Sequence, residues 1–169
     1  MTPILDVCCG GRMFYFDKSD SRVLFCDIRN VKTKLCDGRD FEVSPDVQCD
    51  FTNLPFENDT FYQVIFDPPH LLRNTGKSKF ADLYGSLNKK AMPTGYQIEY
   101  TDWRDMIRKG FTECFRVLKP NGTLVFKWNE TDIKVSEILQ LTPFKPVFGH
   151  KSGKASKTHW LCFFKGGEE

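Results

Sequence analysis

Apolar run after apolar run in this chain closes on an aspartate, and that recurrence constrains the fold more than any other feature of the sequence. VLFCDI (23–28) closes at Asp27, DVQCDF (46–51) at Asp50 and YQVIFD (62–67) at Asp67. ILDVCC (4–9) carries Asp6 and runs into the turn Gly10–Gly11. Short, continuous apolar runs suit parallel strands buried on both faces. A fifth run, GTLVFKW (122–128), follows the turn residues KPNG, and KPVFGH (145–150) with THWLCFF (158–164) predicts a closing hairpin across the loop KSGKAS. Between the fourth and fifth runs Asp102 is placed to cap a helix. Met106, Ile107, Phe111, Cys114, Phe115 and Leu118 recur there at three and four residue spacing, and Pro120 stops the pattern. A second helix is predicted over 130–141 and a short one over 81–90. Strands alternating with helices, then a hairpin, predict an α/β three-layer sandwich with a seven-stranded, mainly parallel sheet and an antiparallel C-terminal edge.

At 169 residues, one domain over 1–169 is expected, and sixteen phenylalanines are enough to fill its interior. The formal net charge of +2 points to no partner by itself, because steering depends on where charge sits. Two stretches are basic. Residues 71–101 carry Arg73, Lys77, Lys79, Lys89 and Lys90 against Asp82 and Glu99, and residues 145–165 carry five lysines and no acid. They read either as solvated lysines or as a polyanion-facing surface. The seven cysteines include no CxxC pair and fall mostly inside strand-like runs, as small buried hydrophobes in a reducing compartment do; no metal site is expected. No stretch approaches the ~20 apolar residues of a membrane span, and no basic and apolar leader opens the sequence. A cytoplasmic protein with no membrane partner is the expectation.

The chemistry concentrates at strand ends. Pro68 and Pro69 remove ladder donors, so the fourth strand must stop at Asp67, at the carboxyl edge where open α/β sheets bind ligands. The Gly10–Gly11 turn lets backbone approach a ligand and offers a following helix N-terminus. Asp27 closes the second strand at the spacing where an acid accepts from ribose hydroxyls. Asp50 is placed either to accept from an adenine amine, with Phe51 packing on the ring, or to cap a turn.

The tetrapeptide Asp67-Pro68-Pro69-His70 resembles the signature of class I S-adenosylmethionine-dependent methyltransferases that act on exocyclic amines, the adenine N6 and cytosine N4 enzymes. The Gly10–Gly11 turn, the acids at 27 and 50 and the segment VLKPNGTLVF (117–126) resemble the family's other landmarks, so the likeness covers nearly the whole chain. CCGGRMFYFDK followed by LFCDIR is similar to small stand-alone methyltransferases of phages and bacterial mobile elements. The resemblance implies a Rossmann-like methyltransferase sheet with S-adenosylmethionine as cofactor. It implies a cofactor site of Asp6, Cys8, Cys9, Gly10, Asp27, Ile28, Asp50 and Phe51, and catalysis by Asp67, Pro68, Pro69 and His70. The Asp67 carboxylate and the Pro68 carbonyl would grip the two N–H bonds of a planar amine and turn its lone pair towards the methyl group. This chain departs from the family at three positions: His70 replaces an aromatic residue, leaving stacking and acid/base roles open, Cys8 replaces the first loop glycine and Arg12 the third. Cytosine C5 chemistry needs a thiolate after a proline, and the chain has no Pro-Cys dipeptide.

The only spare length for reading a substrate is 71–101, with Arg73, Lys77 and Lys79 as candidate contacts and Tyr96 and Tyr100 as rings. A segment this short can close over a base but can hardly read several base pairs. The expected substrate is therefore DNA or RNA recognised with relaxed specificity, a structured or single-stranded form, or one presented by a partner subunit. Alternatives are a protein amide, a small molecule, or a catalytically silent subunit of methyltransferase fold. For Tyr96, Tyr100 and Trp128 a place in the core is the favoured reading over base stacking.

Overall fold

The computed structural model describes residues 2–35, 38–72, 87, 102–153 and 156–167. Its strands are β1 (Ile4–Asp6), β2 (Val23–Asp27), β3 (Val31–Lys34), β4 (Asp40–Val43), β5 (Val47–Gln48), β6 (Phe61–Phe66), β7 (Leu118–Asn129), β8 (Pro146–Lys151) and β9 (Thr158–Phe164). Seven of them form one sheet in the order β5-β2-β1-β6-β7-β9-β8. Pairing is parallel from β5 to β7 and antiparallel for β7–β9 and β9–β8. The mainly parallel sheet with its closing hairpin is the predicted one. Apart from Leu87, the predicted short helix over 81–90 lies outside the described residues.

Helix α1 (Trp103–Val117) begins where the sequence places it, with Asp102 as N-cap accepting from the Arg104 backbone N–H. Its Met106, Ile107, Phe111, Cys114 and Phe115 pack on Leu5, Val64, Phe66, Leu124, Phe126 and Phe163. Gly110 makes the close approach possible, since a Cβ there would lie 2.6 Å from the Phe66 ring and 2.8 Å from the Phe51 ring. β7 starts directly after the helix and accommodates the KPNG turn as a bulge. Leu118 pairs with Phe61 and Thr123 with Gln63, while Asn121 takes a φ of +63°.

Two expectations change. No helix follows the glycine turn; residues 7–22 run in turns, because side-chain carboxylates bind the backbone there. Asp17 accepts from the Ser19 N–H at 2.8 Å and Asp20 from the Arg22 N–H at 2.9 Å, local bonds that compete with a helical ladder. The helix predicted over 130–141 contracts to α2 (Val135–Ile138) and a 3-10 turn (Leu139–Leu141). Asn129 accepts from the Thr131 N–H at 3.0 Å and the Trp128 indole donates to the Ile133 carbonyl at 2.9 Å, which holds the intervening chain in turns. The face of the sheet away from α1 is therefore covered near β1 and β2 by Tyr15 on Ile4, Val23 and Phe25. The β3–β4 hairpin, absent from the sequence reading, packs Phe41 against Gly11. Among the described residues no helix is long and apolar enough to cross a membrane, and six cysteines are free thiols.

Replacing Gly110 by alanine should lower stability by about 1–3 kcal/mol, although alanine is the better helix former by about 1 kcal/mol, because overpacking against Phe66 and Phe51 outweighs propensity. Urea unfolding of the variant checks this; an unchanged midpoint would mean that α1 has room to lift off the sheet.

Candidate functional site

The parallel register brings one strand end after another to the same edge. Asp6 lies beside Phe25 on β2 and Ile65 on β6, and Phe66 lies beside Phe126 on β7. The chain then leaves β6 through Asp67, Pro68, Pro69 and His70, so Asp67 emerges between the end of β1 and Lys127. The Lys127 Nζ lies 2.5 Å from Asp67 Oδ2, with the two side chains 17% and 9% exposed. Burial pushes the Asp67 carboxyl up, and the Lys127 ammonium opposes that rise and favours the ionised form. Lys127 also lies 5.4 Å from the Phe14 ring and 5.6 Å from the Trp160 ring, within cation–π range.

His70 is buried, edge-on to Trp128 with ring centroids 6.2 Å apart. Its ring hydrogen-bonds the Pro68 backbone. Proline has no N–H, so the imidazole donates to the Pro68 carbonyl. Burial, then the Lys127 charge, pushes the His70 pKa down to about 4, against the pull of the Pro68 bond and Asp132. Near neutral pH the ring is uncharged and turned into the protein. Of the two roles left open for it, base stacking and proton transfer, the structure supports neither; His70 instead fixes the carbonyl that the sequence reading assigned to the substrate.

Asp6 is fully buried and accepts from the Tyr15 hydroxyl at 2.8 Å and the Cys8 N–H at 3.1 Å. Burial lifts its pKa to about 7, against those hydrogen bonds and with added repulsion from Asp67 and Asp27. Asp27 accepts four N–H groups: Gly10 N at 2.9 Å and Arg29 Nη2 at 3.2 Å on Oδ2, Arg29 N at 2.9 Å and Nε at 3.0 Å on Oδ1. Those fill the roughly four acceptor positions of a carboxylate, so a ribose diol reaches Asp27 only as the Arg29 side chain gives way. Gly10 has a φ of +49°, and Arg12, where the family carries glycine, sits at +53°. A left-handed arginine costs about 1–2 kcal/mol. It is held by its guanidinium, 3.8 Å over the Phe25 ring and donating to the Lys18 and Ser44 carbonyls at 2.6 and 2.7 Å.

The remaining candidates divide. Asp50 Oδ1 accepts from the Thr52 N–H and hydroxyl, both at 2.9 Å, which is the turn-capping alternative of the sequence reading. Phe51 does not offer its ring to a ligand, since it is buried 5.3 Å from the Phe66 ring and belongs to the core. Ile28 is half-buried and its carbonyl accepts from Gln48 at 2.9 Å. Cys8 donates its backbone N–H to Asp6, and Cys9 donates its own to the Cys26 carbonyl at 2.8 Å. Burial first, then the nearby acids, raises both thiols, that of Cys9 to about 12, so neither is a thiolate near neutral pH. Trp128 is fully buried, as favoured. Arg73, Lys77, Lys79, Tyr96 and Tyr100 lie outside the described residues. Sequence reasoning missed Lys127, Arg29 and Tyr15. A lysine inside the apolar run GTLVFKW was a legible warning, because buried lysines are rare unless paired.

No family model matches the chain and no curated protein matches it. Solved structures do. A protein of Pyrococcus horikoshii aligns at a TM-score of 0.56 and 16% identity over 96% of this chain and 81% of its own. A SAM-dependent methyltransferase of Methanosarcina mazei aligns at 0.53 and 11% identity over 98% and 92%. The 1,6-didemethyltoxoflavin-N1-methyltransferase of Burkholderia thailandensis, with bound 1,6-didemethyltoxoflavin and S-adenosylhomocysteine, aligns at 0.54 and 15% identity over 96% and 70%. The fold is thus the Rossmann-like methyltransferase fold.

The folded state keeps a proton on Asp6 up to pH about 7, whereas the unfolded chain releases it near 3.8. Stability is therefore lost as pH rises between these values, and the loss is complete above 7. Asp6→Asn removes the penalty. Relative to wild type it should gain about 3 kcal/mol between pH 5 and pH 8, measured by urea unfolding of the ligand-free protein; parallel pH curves would contradict the assignment.

Proposed function

We propose that this chain is an S-adenosylmethionine-dependent methyltransferase acting on a planar amine, with adenine N6 or cytosine N4 of DNA or RNA as the favoured target. The observation that carries the reading is a buried Asp67 paired with Lys127 at the strand edge beside Asp6 and the first turn. The donor set fits the cofactor. An α-ammonium, a ribose diol and an adenine amine all donate hydrogen bonds, and Asp6 at the end of β1, Asp27 at the end of β2 and Asp50 just beyond β5 would accept them, Asp27 only as the Arg29 side chain gives way. When bound, the cofactor supplies an electrophilic methyl group.

The chain's own residues do the positioning. Lys127 occupies Asp67 Oδ2, and Oδ1 is the oxygen we assign to one N–H of the amine. The Pro68 carbonyl has two lone pairs, one taken by His70, and the second is directed at the other N–H. Gripped at both hydrogens, the nitrogen is drawn out of conjugation and its lone pair is aimed. With the methyl group's bond to sulfur broken and its bond to nitrogen formed, positive charge passes from sulfur to nitrogen, where Asp67 would stabilise it and would accept the proton the amine sheds.

A second reading, a methyltransferase fold retained for binding alone, is favoured by one observation: Arg29 fills the acceptors of Asp27. Calorimetric titration with S-adenosylmethionine separates the two, since the silent subunit would give no heat of binding. For substrate class, tritiated cofactor is incubated with separate pools of DNA, RNA, protein and metabolites; label retained only by protein or metabolites would remove nucleic acid from the proposal.

Asp67→Ala and Asp67→Asn should each slow methyl transfer by about 100-fold or more, the scale for losing one preorganised polar group; near wild-type rates in both would end the assignment. Lys127→Met deprives Asp67 of its counter-charge, so its pKa rises further. The acidic limb of the rate profile should move to higher pH while cofactor affinity is kept, and an unmoved limb would show that Lys127 does not set the ionisation of Asp67.

A further inference from the structure

We infer that the sheet face opposite α1, across β6, β7, β9 and β8, is the docking surface for a single-stranded nucleic acid and leads it from the terminal hairpin to Asp67. The inference rests on the amine-methylation reading above. Directly opposed residues of neighbouring strands share a face. Register therefore sets Phe148 in a row with Cys162 and Val125, and His150 in a row with Trp160 and Lys127; Phe164 stands opposite Thr123. The other side of these strands, Leu124, Phe126 and Phe163, is the one buried under α1. On the open side Phe148 is 68% and Phe164 47% exposed, His150 is exposed and Trp160 half-buried. Phe14 meets Trp160 edge-on at 5.4 Å and borders the strip at its catalytic end.

Charge selects the occupant. Residues 145–165 hold five lysines and no acid. Lys165 is spent on Asp59 and on the carbonyls of Phe115 and Leu118, and Lys151 shares its charge with Glu130 at 3.2 Å. Lys145 and Lys157 are exposed and make no ion pair among the described residues. Lys145 precedes Pro146, which pairs with Phe163, so it falls opposite Phe164 on the open side, whereas Lys157 stands opposite Glu130, whose N–H donates to its carbonyl, out of phase with Trp160 and so on the α1 side. A strip of exposed aromatic faces with a cation at its end suits unstacked bases joined by phosphates. A duplex hides its base faces and would meet only that lysine. The row His150–Trp160–Lys127 ends beside Asp67, three strand spacings or about 14 Å from its exposed end, so a strand held on the hairpin delivers a base to the carboxylate without being extruded from a helix.

Fluorescence anisotropy of a labelled, mixed-sequence single-stranded oligonucleotide with the full chain tests this, with the same sequence as duplex for comparison. Phe148→Ala should weaken strand binding about tenfold, the scale of one lost base–aromatic stack. Lys145→Ala should flatten the salt dependence by about 0.7 in log–log slope, whereas Lys157→Ala, on the α1 side, should leave it unchanged. All three should retain wild-type urea midpoints and cofactor titration. The inference is overturned if the duplex binds as tightly as the strand, if Phe148→Ala and Lys145→Ala bind like wild type, or if the strand does not bind while the cofactor does; an acidic protein partner would then be the remaining candidate for the surface. Failure of the cofactor titration alone would sink the methylation reading and not the strand-binding surface.

Discussion

Like charge crowded at one sheet edge is the constraint that the structure is built around. Parallel pairing brings Asp6, Asp27 and Asp67 to neighbouring strand ends, where burial disfavours the ionised forms of Asp6 and Asp67 and repulsion from the other two adds to it at Asp6. Each carboxylate meets the problem differently. Asp27 takes Arg29 and the Gly10 N–H, Asp67 takes Lys127 from the adjacent strand, and Asp6 keeps its proton to a pH of about 7 under the Tyr15 hydroxyl. The edge thus holds three buried acids, one of which titrates near neutrality, an arrangement costly for stability and suited to gripping a ligand rich in N–H and O–H donors.

The second consequence of the sequence is a sheet dressed unevenly. On one face α1 closes a phenylalanine-rich core, tightly enough that Gly110 admits no side chain. On the other, Asp17 and Asp20 divert the chain after the glycine turn into local turns, and a small hairpin with its own core of Leu35, Phe41 and Val43 packs where a helix was expected. Aromatic residues of β8 and β9 are left facing outward beside Lys127.

The strand ends were legible because their signals are local. Proline cannot donate to a ladder, so Pro68 and Pro69 placed the end of β6 within one residue of Asp67 without reference to the rest of the fold. The α1 cap at Asp102 and the stripe behind it were legible for the same reason. The missing helices were not. Propensity and periodicity favoured them, and the side-chain bonds from Asp17, Asp20 and Asn129 that replace them are read only once their geometry is known.

The sequence by itself determined where the seven strands of the sheet lie along the chain, the aspartates near their ends and the Asp-Pro-Pro-His turn, because backbone sterics and apolar runs act over a few residues. Only the tertiary structure decided the charge state and partners of those aspartates. Lys127 is sixty residues from Asp67 in the chain and His70 turns back on Pro68, and an ionisation state depends on distances and burial that no short stretch of sequence contains.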